Sequence, residues 1–97
     1  MIAPAIMAIR SETGMPLYLD EHEHIPNLTA EAVASAHARD VEIQGSYGVS
    51  YLRYWFDEAT GKVFCLVEAP SVEAAEDVHR AAHGLMADRL IEVREGF

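Results

Sequence analysis

The sequence predicts a small α+β domain of the ferredoxin-like kind, β-α-β-β-α-β, with two helices on one face of an antiparallel sheet. Three observations carry that expectation. Ninety-seven residues is a one-domain length. The hydrophobic periodicity switches along the chain between two and about 3.6 residues. Turn-forming residues fall at the switches. An apolar fraction of 51% is ordinary for a globular core.

Residues 15–22 alternate, with Met15, Leu17 and Leu19 on one side and Tyr18, Asp20 and His22 on the other, so they form a strand with one apolar face. Pro26 and Asn27 end it. From Thr29 the chain is Ala-rich with helical spacing; Thr29 is placed to cap the helix, and Gly45 and Gly48 mark its exit. Residues 49–56, dominated by Val, Tyr, Trp and Phe, carry the strongest strand signal. Residues 57–61 supply a turn, with Gly61 suited to a positive φ, and 62–69 are the second arm of the hairpin. Pro70 ends that arm, Ser71 caps a helix running to about His83, Gly84 stops it, and 90–93 make a last short strand. Residues 1–14 stand apart. Met1 to Ile9 is a short apolar stretch with Arg10 after it and no positive residue before it, which is not the order of a secretory signal. It reads as a tail or an extra strand ahead of a single domain over 15–97, with Met15 as an alternative start.

Composition narrows the function classes. Sixteen acidic residues against seven basic ones give a formal net charge of −9, a field that repels phosphate backbones and attracts cations. Nucleic acid is therefore not an expected partner. No apolar run approaches the ~18 residues of a membrane helix, so no membrane is expected either. Cys65 is alone, which leaves neither an internal disulfide nor a thiolate-rich zinc site and points to the reducing cytoplasm. Set in a strand beside Phe64, Leu66 and Val67, it reads as a packing residue and not as a ligand. The hairpin is apolar on both sides, with Val49, Tyr51 and Trp55 on one and Leu52, Tyr54 and Phe56 on the other, whereas a sheet with one wet face alternates more cleanly. A homodimer covering the second face is the economical reading.

The histidines carry the candidate chemistry. There are five, and four fall in two close pairs. His22 and His24, two apart in an extended chain, project with Asp20 from one face. They either solvate a strand end or offer a carboxylate and two imidazoles to one ion. His79 and His83 are one helical turn apart, with Glu76 three residues before His79. At ~100° per residue these three form a narrow strip on the shoulder of a buried face made by Val72, Ala75, Val78, Ala82 and Met86. The strip is either a plain helix flank or a ligand set, and without the His-Glu-x-x-His order it does not imply hydrolysis. His37, Asp40 and Gln44 fall opposite the solvent stripe of Glu31, Ser35, Arg39 and Glu42. Facing the sheet, His37 and Asp40 form either a buried hydrogen bond or a pocket in which a carboxylate orients an imidazole for ligation or proton transfer.

The first strand's exit and the second helix's start are expected at one end of the sheet, with His79 ~12 Å along that helix at ~1.5 Å per residue. The two histidine pairs then occupy separate surface sites, or sites completed by a dimer mate. The candidate metal ligands are His22, His24, His37, Asp40, Glu76, His79 and His83. Imidazole and carboxylate donors suit nickel, zinc, copper or cobalt alike. The alternative is a small dimeric enzyme running acid–base chemistry at His37 and Asp40 on a small apolar substrate.

The segments MPLYLDEHEH from Met15, EAVASAHARD from Glu31, GVSYLRYWFDEATGKVFCLVEAPS from Gly48 and VHRAAHGLMAD from Val78 resemble a small bacterial family of the DUF4242 type. Its described member is a nickel-binding protein. The likeness covers residues 15–93 and has no counterpart for 1–14. It implies a ferredoxin-like fold, a homodimer, and nickel held at the dimer surface for sequestration or detoxification. The matching histidines are His22, His24, His37, His79 and His83.

Overall fold

The computed structural model describes residues 14–96. Its elements are β1 (Leu17–His22), α1 (Ala30–Ile43), β2 (Ser50–Asp57), β3 (Lys62–Glu68), α2 (Val72–Ala82) and β4 (Arg89–Val93), with a 3₁₀ turn at Gln44–Tyr47. The sheet order is β2-β3-β1-β4, and every neighbouring pair is antiparallel. This is the ferredoxin-like arrangement the periodicity predicts. The tail or extra strand expected over 1–14 lies outside the described residues, Gly14 excepted. No helix among the described residues is long and apolar enough to cross a membrane.

Local chemistry sets the element ends. Thr29 accepts the Ala32 amide at 3.1 Å and Ser71 accepts the Ala74 amide at 3.1 Å, so each hydroxyl satisfies a donor that the first helical turn leaves unpaired. At the hairpin tip Gly61 has φ +80°, and a Cβ there would fall 2.7 Å from the Ile25 carbonyl oxygen and 2.8 Å from His24 Nδ1. Its amide donates to Asp57 and its carbonyl accepts from Ile25, both at 2.9 Å. The turn and the loop after β1 are thus tied through a position only glycine fills without strain.

The core lies between helices and sheet, built from Tyr18, Val33, Val49, Tyr51, Val63, Val67, Ala75 and Val78 among others. A strand with one apolar face ordinarily turns it to the helices. β1 does the reverse: Tyr18, Asp20 and His22 are buried on the helix side, while Leu19 pairs with Leu66 and Ile91 across the outer side. In β2 the expected grouping of side chains is corrected by a bulge between Tyr51 and Arg53. One inserted residue reverses the phase beyond it. Tyr51 and Tyr54 therefore share the helix side, opposite Val67 and Cys65, and Trp55 lies with Phe64 on the outer side.

The outer face carries Leu19, Trp55, Phe64, Leu66 and Ile91, with Trp55 and Ile91 still 48% and 45% exposed. A charged rim bounds it where Lys62 meets Glu21 at 3.1 Å and Glu23 at 3.6 Å.

Candidate metal centre

Polar side chains converge from five elements onto the helix side of the sheet. β1 supplies Asp20 and His22, β3 supplies Cys65 directly across from Asp20, and β2 supplies Tyr51. α1 adds Asp40, and α2 adds His79, with His83 as its C-terminal cap. Asp20, His22, Asp40 and His79 are each 4% exposed or less.

His79 is the hub. Its Nδ1 lies 2.9 Å from Asp40 Oδ1 and its Nε2 lies 2.8 Å from Asp20 Oδ2. With a carboxylate oxygen facing each nitrogen, both nitrogens donate, and the ring is an imidazolium. Burial by itself lowers the pKa of His79, but the hydrogen bonds to Asp20 and Asp40 outweigh it and raise the value to about 9. The Tyr51 ring stacks on this imidazolium at 4.5 Å between centroids. Its hydroxyl donates to the Ala75 carbonyl at 3.0 Å and sits 3.4 Å from Asp20 Oδ2, and burial pushes the phenol far up, so it stays neutral.

Asp40 Oδ2 accepts from His83 Nε2 at 3.3 Å. His83 Nδ1 accepts the Leu85 amide at 3.0 Å, which places that ring's proton on Nε2. Burial raises the Asp40 carboxyl, yet the hydrogen bonds from His79 and His83 outweigh it and hold the group below the usual carboxylate range. His22 moves down. Its burial disfavours the charged ring more than nearby Asp20 favours it, so His22 is neutral at pH 7.

One atom is left over. Asp20 Oδ1 is buried and has no hydrogen-bond partner among the described residues; His22 Nε2 stands 3.6 Å away, too far for a good bond. A bare acceptor in a dry site is costly. Donor atoms of Asp20, His22, Cys65 and His79 lie within 4.8 Å of one another, and those of Asp40, His79 and His83 form a second such group. Carboxylate oxygen, imidazole nitrogen and thiol sulfur suit a borderline divalent ion, and the bare oxygen is where a cation meets an unsatisfied acceptor. The residues fit a metal. Occupation requires proton loss, because ligands bind deprotonated: His79 must release one proton, and the Cys65 thiol, pushed up by burial and by Asp20, must release another before sulfur joins.

Of the residues singled out from the sequence, the fold gathers His22, Asp40, His79 and His83. The expected separation of the histidine pairs does not hold: the His22 and His79 rings are 5.4 Å apart. The reason is strand direction. β3 runs antiparallel to β1, so its end at Glu68 lies beside Leu17, the start of β1 and not its exit. α2 then runs alongside β1 and brings His79 level with Asp20 and His22. His79 also lies in the buried face with Ala75, Val78 and Ala82, not on its shoulder, whereas Met86 is exposed.

His24, Glu76 and His37 lie outside both donor groups. His24 is past the end of β1, where its Nδ1 contacts the Thr60 carbonyl at 2.7 Å. Glu76 is half-buried on α2. His37 packs on Tyr54 at 4.8 Å between ring centroids, while Asp40 pairs with His79 and His83. Cys65 is buried as expected, but its position across from Asp20 brings sulfur among the donors. Neither it nor Tyr51 carries a local sequence signal for this role, since register and a bulge put them there.

A cavity of about 70 Å³ adjoins the cluster between α1, the loop after β1 and the sheet. Apolar Leu28, Val33, Ala36 and Val63 are among its lining residues, as are His22, Asp40, His79 and His83.

The family model described as nickel responsive protein, SCO4226-like, matches residues 18–93. Among solved structures, the crystal structure of SCO4226 from Streptomyces coelicolor A3(2) is similar at 32% identity with a TM-score of 0.77, covering 84% of this chain and 99% of that one. Comparison with curated proteins gives no match.

Proposed function

This chain belongs to the SCO4226-like family of nickel responsive proteins, and from that membership together with its buried donors we propose that it binds a divalent transition metal, nickel before zinc, copper or cobalt. The ion is cargo, held by a homodimer in the cytoplasm for sequestration or detoxification. The observation that carries the reading is the bare Oδ1 of Asp20 among His22, His79 and Cys65.

Each residue has a role in it. Asp20 provides charge and the open acceptor. His22 is a neutral imidazole held ready by burial. His79 joins once its proton is gone, so uptake strengthens as pH rises toward its value of about 9. Cys65 is the softer fourth donor, and its ligation would add a sulfur-to-metal charge-transfer band. The apolar outer face, with Trp55 and Ile91 exposed, supports a twin subunit as its cover.

Isothermal titration with nickel chloride, paired with elemental analysis of untagged protein, tests the reading. Asp20→Asn and His22→Ala should each weaken binding about tenfold or more, while His24→Ala should leave it unchanged. If the parent takes up no nickel, or only His24→Ala loses it, the buried centre is not the site.

A further inference from the structure

On the reading that Asp20, His22, Cys65 and His79 hold the ion, we propose that Tyr51 is a positioning residue of that site: its hydroxyl turns from the Ala75 carbonyl to Asp20 Oδ2 when the ion is taken up. In the metal-free protein Asp20 Oδ2 accepts from His79 Nε2 at 2.8 Å, and the Cys65 thiol faces the same carboxylate. The Tyr51 hydroxyl stands 3.4 Å from Oδ2, long for an O–H···O bond, because its proton goes to the Ala75 carbonyl at 3.0 Å.

Ligation removes the present donors. A nitrogen or sulfur that binds metal has given up its proton and offers a lone pair instead. His79 Nε2 and the Cys65 sulfur therefore stop donating to Asp20 as they become ligands. His22 Nε2, 3.6 Å from Oδ1, brings no proton either once it ligates. Oδ1, already bare, is the oxygen that meets the ion, and Oδ2 is left without a donor on a residue fully closed to water. A buried acceptor without a partner is costly. Among the described side chains that face Asp20, Tyr51 alone still holds a proton. Burial pushes the phenol far up, so that proton stays on oxygen.

Ala75 can spare the bond. Inside α2 its carbonyl also accepts the backbone amide of His79, four residues on. The fold, meanwhile, fixes everything about Tyr51 except its hydroxyl. The bulge between Tyr51 and Arg53 sets its place in β2, and its amide donates to Gln44 Oε1 at 2.8 Å. Its ring lies against the His79 imidazole at 4.5 Å between centroids, and the residue is 4% exposed. Closing the remaining roughly 0.6 Å to a good O–H···O distance takes a rotated hydroxyl and a small shift.

The test compares the parent with Tyr51→Phe, which removes the hydroxyl and keeps the ring. Isothermal titration with nickel chloride should give about tenfold weaker binding for the variant, the scale on which groups that hold a ligand in place act. Urea midpoints separate positioning from packing. They should agree between the two metal-free proteins and differ once both are saturated with nickel. A third readout is made on the parent, with tyrosine labelled with 13C at Cζ and zinc chloride as a diamagnetic probe. One of the four tyrosine signals should move on saturation, and it should be the one that Tyr51→Phe lacks. Variant affinity within about twofold of the parent overturns the proposal. So does a midpoint lowered equally with and without nickel, or a parent in which no tyrosine signal moves with zinc. The parent spectrum decides even if Tyr51→Phe does not fold. Any of these outcomes beside normal nickel uptake by the parent sinks this inference alone; a parent that takes up no nickel sinks the metal reading and this inference with it.

Discussion

The two faces of this sheet are built from opposite materials, and each looks the wrong way for a lone subunit. The helix side, sealed from water, carries Asp20, His22, Tyr51 and Cys65, and receives Asp40 and His79 from the helices. The outer side carries Leu19, Trp55, Phe64, Leu66 and Ile91, with Trp55 and Ile91 nearly half exposed. Burying charge costs several kcal/mol per ion unless it is paired and hydrogen-bonded, and the inner face meets that condition almost completely. His79 bridges two carboxylates, and among the described residues only one oxygen of Asp20 is left bare. The outer face has nothing comparable to resolve: its exposed apolar area carries an ordinary hydrophobic cost that association removes. The first kind of burial supports the proposed metal chemistry, the second the proposed homodimer.

That contrast can be broken most directly at its hub. His79→Ala leaves Asp20 and Asp40 facing each other without a cation and should cost about 3–5 kcal/mol, read as a lower urea midpoint at pH 7. Loss of less than about 1 kcal/mol would mean the two carboxylates are not held as ions by His79.

Stability against pH gives the next largest effect. The folded value of His79 is raised from 6.5 to about 9, so its contribution is fully present below 6.5 and is lost as pH rises through 9. His22 is lowered, and its effect has the opposite sense: stability falls as pH drops below 6.5, because the unfolded chain then takes up the proton more readily. Urea midpoints measured from pH 5 to 10 should therefore peak near the histidine reference value, with the alkaline slope missing in His79→Ala. The lowered Asp40 acts outside this window, since its contribution fails only as pH falls below 3.8 and through its folded value. A flat alkaline limb in the parent would contradict the imidazolium assignment.

The outer face should yield the smallest change in fold stability. Trp55→Lys is expected to shift unfolding of the subunit by no more than about 0.5 kcal/mol, yet to convert a dimer to a 10.7 kDa monomer in sedimentation at micromolar concentration. A parent that is already monomeric there removes the case for a covered outer face.

Much of the fold could be read locally. Thr29 and Ser71 mark helix starts because a hydroxyl there caps whatever follows, and Gly61 marks the hairpin tip because of its backbone freedom. The site was less legible. His22, Asp40, His79 and His83 stand out as residue types at suggestive spacings, but spacing along one element says nothing about which residues of another element face it. Cys65 and Tyr51 look like packing residues at any window length.

What the sequence determined by itself is the order of elements, their approximate ends, and the alternation that sorts each strand into two sides, since these depend on contacts within a few residues. Tertiary structure alone decided which side turned inward. The antiparallel β1–β3 ladder sets α2 alongside β1 and brings His79 to Asp20, and one bulged residue in β2 moves Tyr51 and Tyr54 onto the same face. Both outcomes depend on register between segments tens of residues apart, which no local periodicity encodes.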